Sequence, residues 1–303
     1  MITEVLAGTW FSMCAVMLYS DPRLWIVLAS SVAFTVLRVV VVPLVALRVK
    51  SYTTFTDNNQ LLWSNTIVSM LHSTCSSLLA IYALACDNSV HGNYVNRASY
   101  GEFVTTAVST GVTIHPLVLS WAFLIRSLCV YYDNSLAHSL GYFAYDLWDY
   151  VLHRLYIKSP GIVVHHVVIL ICYISALTKT VGVPLLSLAL ICELHSAFMH
   201  LRKLMSMSNY SIGASSTYKW VWYLQWATFL LARTVPHAGV TWLVYQARDD
   251  FVQPTHFWMA FIGMLFINAL NVQLLRGVYG AFRKDFGYSK RSQDAAFKAT
   301  KML

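Results

Sequence analysis

Long apolar blocks separated by short polar connections dominate this chain. Crossing a hydrocarbon core of about 30 Å takes roughly 20 helical residues. Seven blocks approach or exceed that length: 24–47, 61–85, 137–156, 162–178, 183–205, 220–246 and 256–280. Within them the apolar residues run around the whole helix, whereas a soluble helix keeps them to one stripe. The pattern predicts an all-α, polytopic membrane protein with about seven transmembrane helices. An eighth block, 112–131, is interrupted by His115, Pro116 and Arg126 and reads as interfacial or re-entrant.

Composition strengthens this picture. Apolar residues make up 57% of the chain and charged residues 11%, against about 25% charged in an ordinary soluble domain. The formal charge of +8 sits in short loops and the C-terminal tail rather than on a folded basic surface, which argues against nucleic acid as a partner. With seven spans, Arg48 and Lys50, Arg154 and Lys158, Arg202, Lys203 and Lys219, and the tail from Arg283 to Lys301 share one side. The positive-inside rule makes that side, and the C-terminus, cytoplasmic. Counting 112–131 as a span would move Arg48 and Lys50 to the other side. The expected organisation is an N-terminal segment, 1–55, with one span. A six-helix unit, 56–282, follows, with an interfacial insertion near 86–136, and then a basic tail, 283–303. Glu4 and the lack of an early Lys or Arg speak against a cleaved signal peptide. The six cysteines are scattered singly and read as packing residues.

Ionisable groups inside membrane helices are expensive, so they face the bundle interior and mark candidate sites. Asn65, Ser69, His72 and Ser76 recur at helical spacing and share one face. They either bond neighbouring helices together or line a site through His72. Tyr142, Asp146, Asp149 and His153 form a second stripe. Its paired carboxylates can orient a histidine, share a proton or neutralise a nearby cation. His165 and His166 stand side by side at the start of an apolar span, about 100° apart around the helix. An imidazole there can move protons near neutral pH or attack an acyl carbonyl; two helix-end histidines at an interface are the plainer alternative. On the following span Glu193, Ser196, His200 and Lys203 share a face. Glu193 either orients a basic imidazole or pairs with Arg202, Lys203 or Arg233. Arg233, with Asn268 and Asn271 on the last span, either holds a phosphate or carboxylate or neutralises an internal acid. The first span, with only Arg38 in its middle, looks peripheral. No phosphate loop, dinucleotide fingerprint, zinc spacing or serine-hydrolase elbow is present, and only His195 with His200 approaches a desaturase histidine box, so no metal is expected.

The runs Gly141 to Asp146, Val164-His165-His166-Val167, Glu193-Leu194-His195-Ser196, His200-Leu201-Arg202-Lys203-Leu204, and Arg233 with Pro236 together resemble the TLC domain. That family is a six-helix lipid-sensing or lipid-modifying module shared with ceramide synthases. The resemblance covers about residues 61–280. It implies a bundle around an internal cavity and membrane lipids (phospholipid, fatty acyl chain) as partners, with no bound cofactor and acyl-CoA as a candidate co-substrate. The HLRKL run looks most like the small family members associated with phospholipid composition and fluidity, which favours the plasma membrane over the endoplasmic reticulum. In ceramide synthases the histidine pair belongs to the acyl-transfer motif, and acidic residues follow on the next helix. Carried over, His165, His166, Glu193 and Asp146 are the candidate catalytic residues. His72, Asp149, Ser196, His200, Arg233 and Asn271 are candidates for substrate binding. Ser196 stands where a second acid is expected, a departure from the ceramide synthase pattern.

Overall fold

The computed structural model describes residues 19, 33–86, 94–96, 141–153, 157, 160–179 and 181–301. Among these residues the regular structure is entirely helical. We label the helices α1 (Ala33–Ala46), α2 (Asp57–Cys86), α3 (Gly141–Leu152), α4 (Pro160–Lys179), α5 (Val183–Met207), α6 (Ser216–Thr228), α7 (Val235–Gln246) and α8 (Pro254–Lys301). The expected block 112–131 lies outside the described residues, as do the start of the first block and both ends of the third.

Chain chemistry sets the helix ends. Ser215 begins α6 by accepting the Tyr218 N–H at 3.2 Å. Gly182 enters α5 with φ 71°, a left-handed conformation that costs glycine nothing, and donates its N–H to Val95 O at 2.8 Å. Pro184, Pro236 and Pro254 open their helices, where a missing N–H goes unnoticed.

Two helices depart from regularity where polar side chains enter the core. A 3₁₀ turn, Leu190–Cys192, interrupts α5. The carbonyls around it are taken up from a neighbouring helix: His237 Nε2 donates to Ala189 O at 3.2 Å and Arg233 Nη2 to Cys192 O at 3.4 Å. Between α6 and α7 a π-turn, Phe229–Thr234, widens the helix just before Pro236. Thr234 Oγ1 donates to Phe229 O at 3.0 Å there. Helix irregularities of this kind concentrate at functional sites, and this one carries Arg233. A second π-turn, Leu37–Val41 in α1, carries Arg38 ahead of Pro43.

The outer surface is apolar. Helices α5 and α8 are each long and apolar enough to cross a membrane; half of the α5 span is buried but only 11% of the α8 span. Trp258, Ile262, Leu265, Val272, Leu275 and Tyr279 therefore stand exposed along α8, a surface suited to lipid rather than water. Aromatic residues mark its ends. On α8, Trp258 and Tyr279 are 21 residues apart, about 32 Å at ~1.5 Å per residue. On the continuous rod 216–246, exposed Trp220 and Trp242 are 22 residues apart, about 33 Å. Both spacings match the hydrocarbon thickness flanked by aromatic belts. Cations stack on the belts: Lys219 lies 6.0 Å from the Tyr223 ring, Arg248 5.4 Å from Tyr245 and Arg283 6.0 Å from Tyr279.

Inside, Phe34 and Leu37 of α1 join Trp63, Val68, Phe143, Leu170 and Tyr173 in one core. The first helix is thus packed into the bundle, correcting the expectation that it is peripheral; Phe34 lies edge-on to His72 at 6.0 Å. Residues beyond 280 continue α8 without a break and dock onto α6. Tyr218 Oη and Trp222 Nε1 both donate to Asp285 Oδ2, at 2.7 and 3.1 Å.

Candidate functional site

Two polar networks meet in the middle of the bundle. The first joins α1 to α4. Asn65 Nδ2 donates to Asp146 Oδ1 at 2.8 Å and to Asp149 Oδ2 at 3.1 Å, so one α2 amide bridges both acids of α3. Asp149 Oδ1 also faces Arg38 Nε at 4.0 Å and His153 Nδ1 at 3.1 Å. Asp146 Oδ2 lies 3.4 Å from His166 Nδ1, close enough for an ion pair if the imidazole is protonated but outside hydrogen-bond geometry. Both acids and His166 are buried, and Lys203 and Glu193 of α5 lie within electrostatic reach of Asp146.

The second network surrounds Arg233. Its Nη2 donates to Ser196 Oγ at 2.6 Å and its Nη1 to Asn271 Oδ1 at 3.3 Å, while Nε is buried without a hydrogen-bond partner. Asn271 Nδ2 donates to His237 Nδ1 at 2.7 Å. With Nδ1 accepting and Nε2 donating to Ala189 O, the His237 imidazole is held as its neutral Nε2–H tautomer. Ser73 Oγ of α2 donates to Glu193 Oε2 at 2.5 Å.

Between α4, α5, α7 and α8 lies an open-mouthed cavity of about 1030 Å³, a figure that includes the solvent space at its mouth. Its polar lining includes His165, Glu193, Arg233 and His237. On each of α4, α5 and α7 the lining follows the same order, polar near the networks and then apolar toward residues 181–182 and 247–253. On α4 the wall runs from His165 to Ala176, on α5 from Glu193 to Leu185, and on α7 from His237 to Val244. Gly263 lets α8 close on α4, since a β-carbon there would sit 3.1 Å from Cys172 Sγ. The result is an apolar sleeve with a polar floor.

The sequence candidates divide across these features. His165 lines the sleeve, with its Nδ1 buried and unpartnered. His166, its ring centroid 5.4 Å from that of His165, turns away toward Asp146 and packs on Phe143. The neighbouring histidines therefore address different partners, as their helical divergence predicts. Glu193 reaches the sleeve, but Ser73 holds it, not the histidine pair. Ser196 and Asn271 hold Arg233. His72 is fully buried, 3.2 Å from Ser76 Oγ and edge-on to Phe143. His200, half-buried on α5, has an unpartnered Nδ1. The side chain of Tyr142 lies outside the described residues. Asn65 bonds a neighbouring helix, one of the two roles open to the polar face of α2, whereas Ser73, Arg38 and His237 hold members of the networks without being candidate site residues. Arg38 was detectable as a charge in mid-span, and Asn65 from its place on the polar face of α2. His195 is fully buried on the α6 side, its Nδ1 donating to Gln225 O at 3.1 Å. Arg202 stacks on Trp222 at 4.4 Å and donates from Nε to Gln225 Oε1 at 2.8 Å. Among the described residues, no three His, Cys, Asp or Glu side chains gather as a metal site would require.

These features define an α-helical membrane protein built around an internal, polar-floored cavity. The chain belongs to the TLC domain family, whose sequence profile matches residues 62–276. It is 30% identical over 174 residues to TLC domain-containing protein 2 of Danio rerio, covering 56% of this chain and 67% of that protein. TLC domain-containing protein 2 of Mus musculus is 25% identical over 186 residues, covering 61% of this chain and 50% of the relative. Its Homo sapiens counterpart is 27% identical over 191 residues, covering 61% and 58%. The chain thus spans between half and two thirds of the length of these relatives. No solved structure matches.

Proposed function

We propose that this TLC-domain protein sets the acyl composition of membrane phospholipids, and with it membrane fluidity, by histidine-dependent acyl transfer in the sleeve. The supporting observation is the position of His165: it stands on the wall of an apolar cavity beside Arg233, with its partner His166 set against a buried carboxylate. The sleeve holds one acyl chain along its apolar walls, with the carbonyl at the polar floor. The His165 imidazole attacks the carbonyl of a thioester such as acyl-CoA, or of a phospholipid ester. The leaving thiol or alcohol departs with a proton and the acyl group remains on the ring. A lysophospholipid hydroxyl then attacks the acyl-imidazole, the new ester forms and the free imidazole returns. The proton of that hydroxyl returns to the His165 ring as it leaves, with His166 and Asp146 beside that ring stabilising the charge it carries, and Arg233 offers its unpartnered Nε–H to developing negative charge on oxygen.

The proposal includes seven spans, with the N-terminal unit 1–55, the TLC unit 56–282 and the cytoplasmic tail 283–303, in the plasma membrane. The exposed apolar faces and both aromatic belts support the membrane geometry. A ceramide synthase-like N-acyl transfer is disfavoured by Ser196, whose hydroxyl accepts from Arg233 where a second acid is expected. Purified protein in nanodiscs, given radiolabelled oleoyl-CoA and lysophosphatidylethanolamine, should form diacyl lipid. His165→Ala should abolish turnover and His166→Ala should lower it by roughly 10²-fold or more. Unchanged turnover in both variants would remove the mechanism. A sphingoid base accepted in preference to the lysolipid would favour N-acylation. Acyl-CoA binding without turnover in the wild type would make the protein a lipid carrier or sensor.

A further inference from the structure

Arg38 lies outside the stretch that matches the TLC family, residues 62–276, yet it extends into the centre of the bundle. Its π-turn in α1 places the guanidinium Nε 4.0 Å from Asp149 Oδ1, and that Nε is buried without a hydrogen-bond partner. From Asp149 the contacts continue through Asn65 Nδ2 to Asp146, and Asp146 Oδ2 faces His166 Nδ1. One α1 cation is thus four contacts away from His166, through Asp149, Asn65 and Asp146.

We propose that Arg38 is a positioning residue for His166, acting through Asp149, Asn65 and Asp146. This rests on the acyl-transfer reading for its catalytic consequence but not for its structural one. Asn65 offers one amide nitrogen to two carboxylates, so it holds them close together. Two such acids in apolar surroundings do not both stay ionised unless a cation compensates one of them. Arg38 compensates Asp149 and leaves Asp146 as the anion that faces His166 Nδ1 at 3.4 Å. The remaining charged and titratable groups near the pair are His153 on α3, Glu193 and Lys203 on α5, and Tyr150 on α3. His72 of α2 packs on the same Phe143 ring as His166. Lys203 acts on Asp146 and His153 on Asp149, and Arg38 is the cation at the outer end of this chain of contacts. Without it a proton shared by the two acids falls on Asp146 in part of the molecules. Oδ2 then becomes a donor facing His166, and the imidazole turns to the opposite tautomer.

The test uses the full chain in nanodiscs with ¹⁵N-labelled histidine, the His166 signals being assigned by their loss in His166→Gln. In the wild type, His166 should show the Nδ1–H tautomer. Arg38→Met should shift its signals toward Nε2–H, Arg38→Lys should retain the wild-type pattern, and Asp149→Asn added to Arg38→Met should restore it by removing the second acid. The same series in the transfer assay should show about a tenfold or larger fall in kcat for Arg38→Met, within the ~10²–10⁴ that a positioned base supplies. KM should stay unchanged and the double variant should recover. Identical His166 signals in wild type and Arg38→Met would overturn the proposal, as would failure of the double variant to restore them. If Arg38→Met does not fold, loss of the wild-type signals in Arg38→Lys or in the double variant overturns it. Tautomer shifts as described without any transfer by the wild type would sink the acyl-transfer reading and leave Arg38's positioning role standing.

Discussion

Replacing Asn65 with leucine keeps the side chain nearly the same size but removes the donor that binds Asp146 at 2.8 Å and Asp149 at 3.1 Å. No cavity is created, so the loss reports the polar contacts themselves. Interhelical hydrogen bonds in membranes average about 0.6 kcal/mol and reach about 1.7, because the unfolded chain in lipid also finds partners. Two of them set the loss at about 1–3 kcal/mol. Charged acceptors push the value toward the upper end, since each buried carboxylate is left short of a donor. Thr66→Val on the same helix is the control: Thr66 Oγ1 donates only within its own turn, to Leu62 O at 2.6 Å, so its loss should stay below about 0.5 kcal/mol. Reversible unfolding by sodium dodecyl sulfate in mixed micelles, followed by tryptophan fluorescence, gives both values. If Asn65→Leu costs no more than Thr66→Val, the bridge between the two acids does not hold α2 to α3.

Other substitutions test the remaining parts. Asp285→Ala removes the acceptor of Tyr218 and Trp222 and should cost about 1–3 kcal/mol. Hydrogen exchange should rise at residues 281–287 but not at 256–270; equal protection in both regions would mean that this contact does not hold the end of α8 against α6. Gly263→Leu should expel co-purified acyl lipid, seen by native mass spectrometry, because the β-carbon already meets Cys172 Sγ at 3.1 Å. Gly263→Ala should retain lipid by a small shift of the thiol, and equal lipid in Gly263→Leu and wild type would argue against a sleeve at this seam. Gly182→Val should destabilise by about 1–2 kcal/mol through its left-handed φ of 71°. Gly277→Ala, with nothing within 4 Å of the added carbon, should be neutral or stabilising by about 0.5–1 kcal/mol.

Much of this architecture is legible in the residues, and the exceptions have a common physical cause. The polar face of α2 can be read because spacings of four and three put Asn65, Ser69, His72 and Ser76 in one row, and all four are buried. The divergence of His165 and His166 follows from helix geometry alone. The role of Arg38 is not legible, because it depends on a carboxylate more than a hundred residues away and on a π-turn that no periodicity announces. The break in α5 is hidden for the same reason: its carbonyls find their donors on Arg233 and His237. Ser196 reads as a missing acid in sequence, whereas in the fold it accepts from Arg233. Local pattern reveals which face of a helix avoids lipid; it does not reveal which partner waits across the bundle.

The histidine pair can be tested most directly by lipidomics of cells lacking the protein, to which wild type or the double variant His165→Ala/His166→Ala is returned at equal membrane abundance. The wild type should restore phospholipid acyl composition and the double variant should leave it as in cells without the protein. Equal restoration by both would show that these imidazoles perform no chemistry in the sleeve.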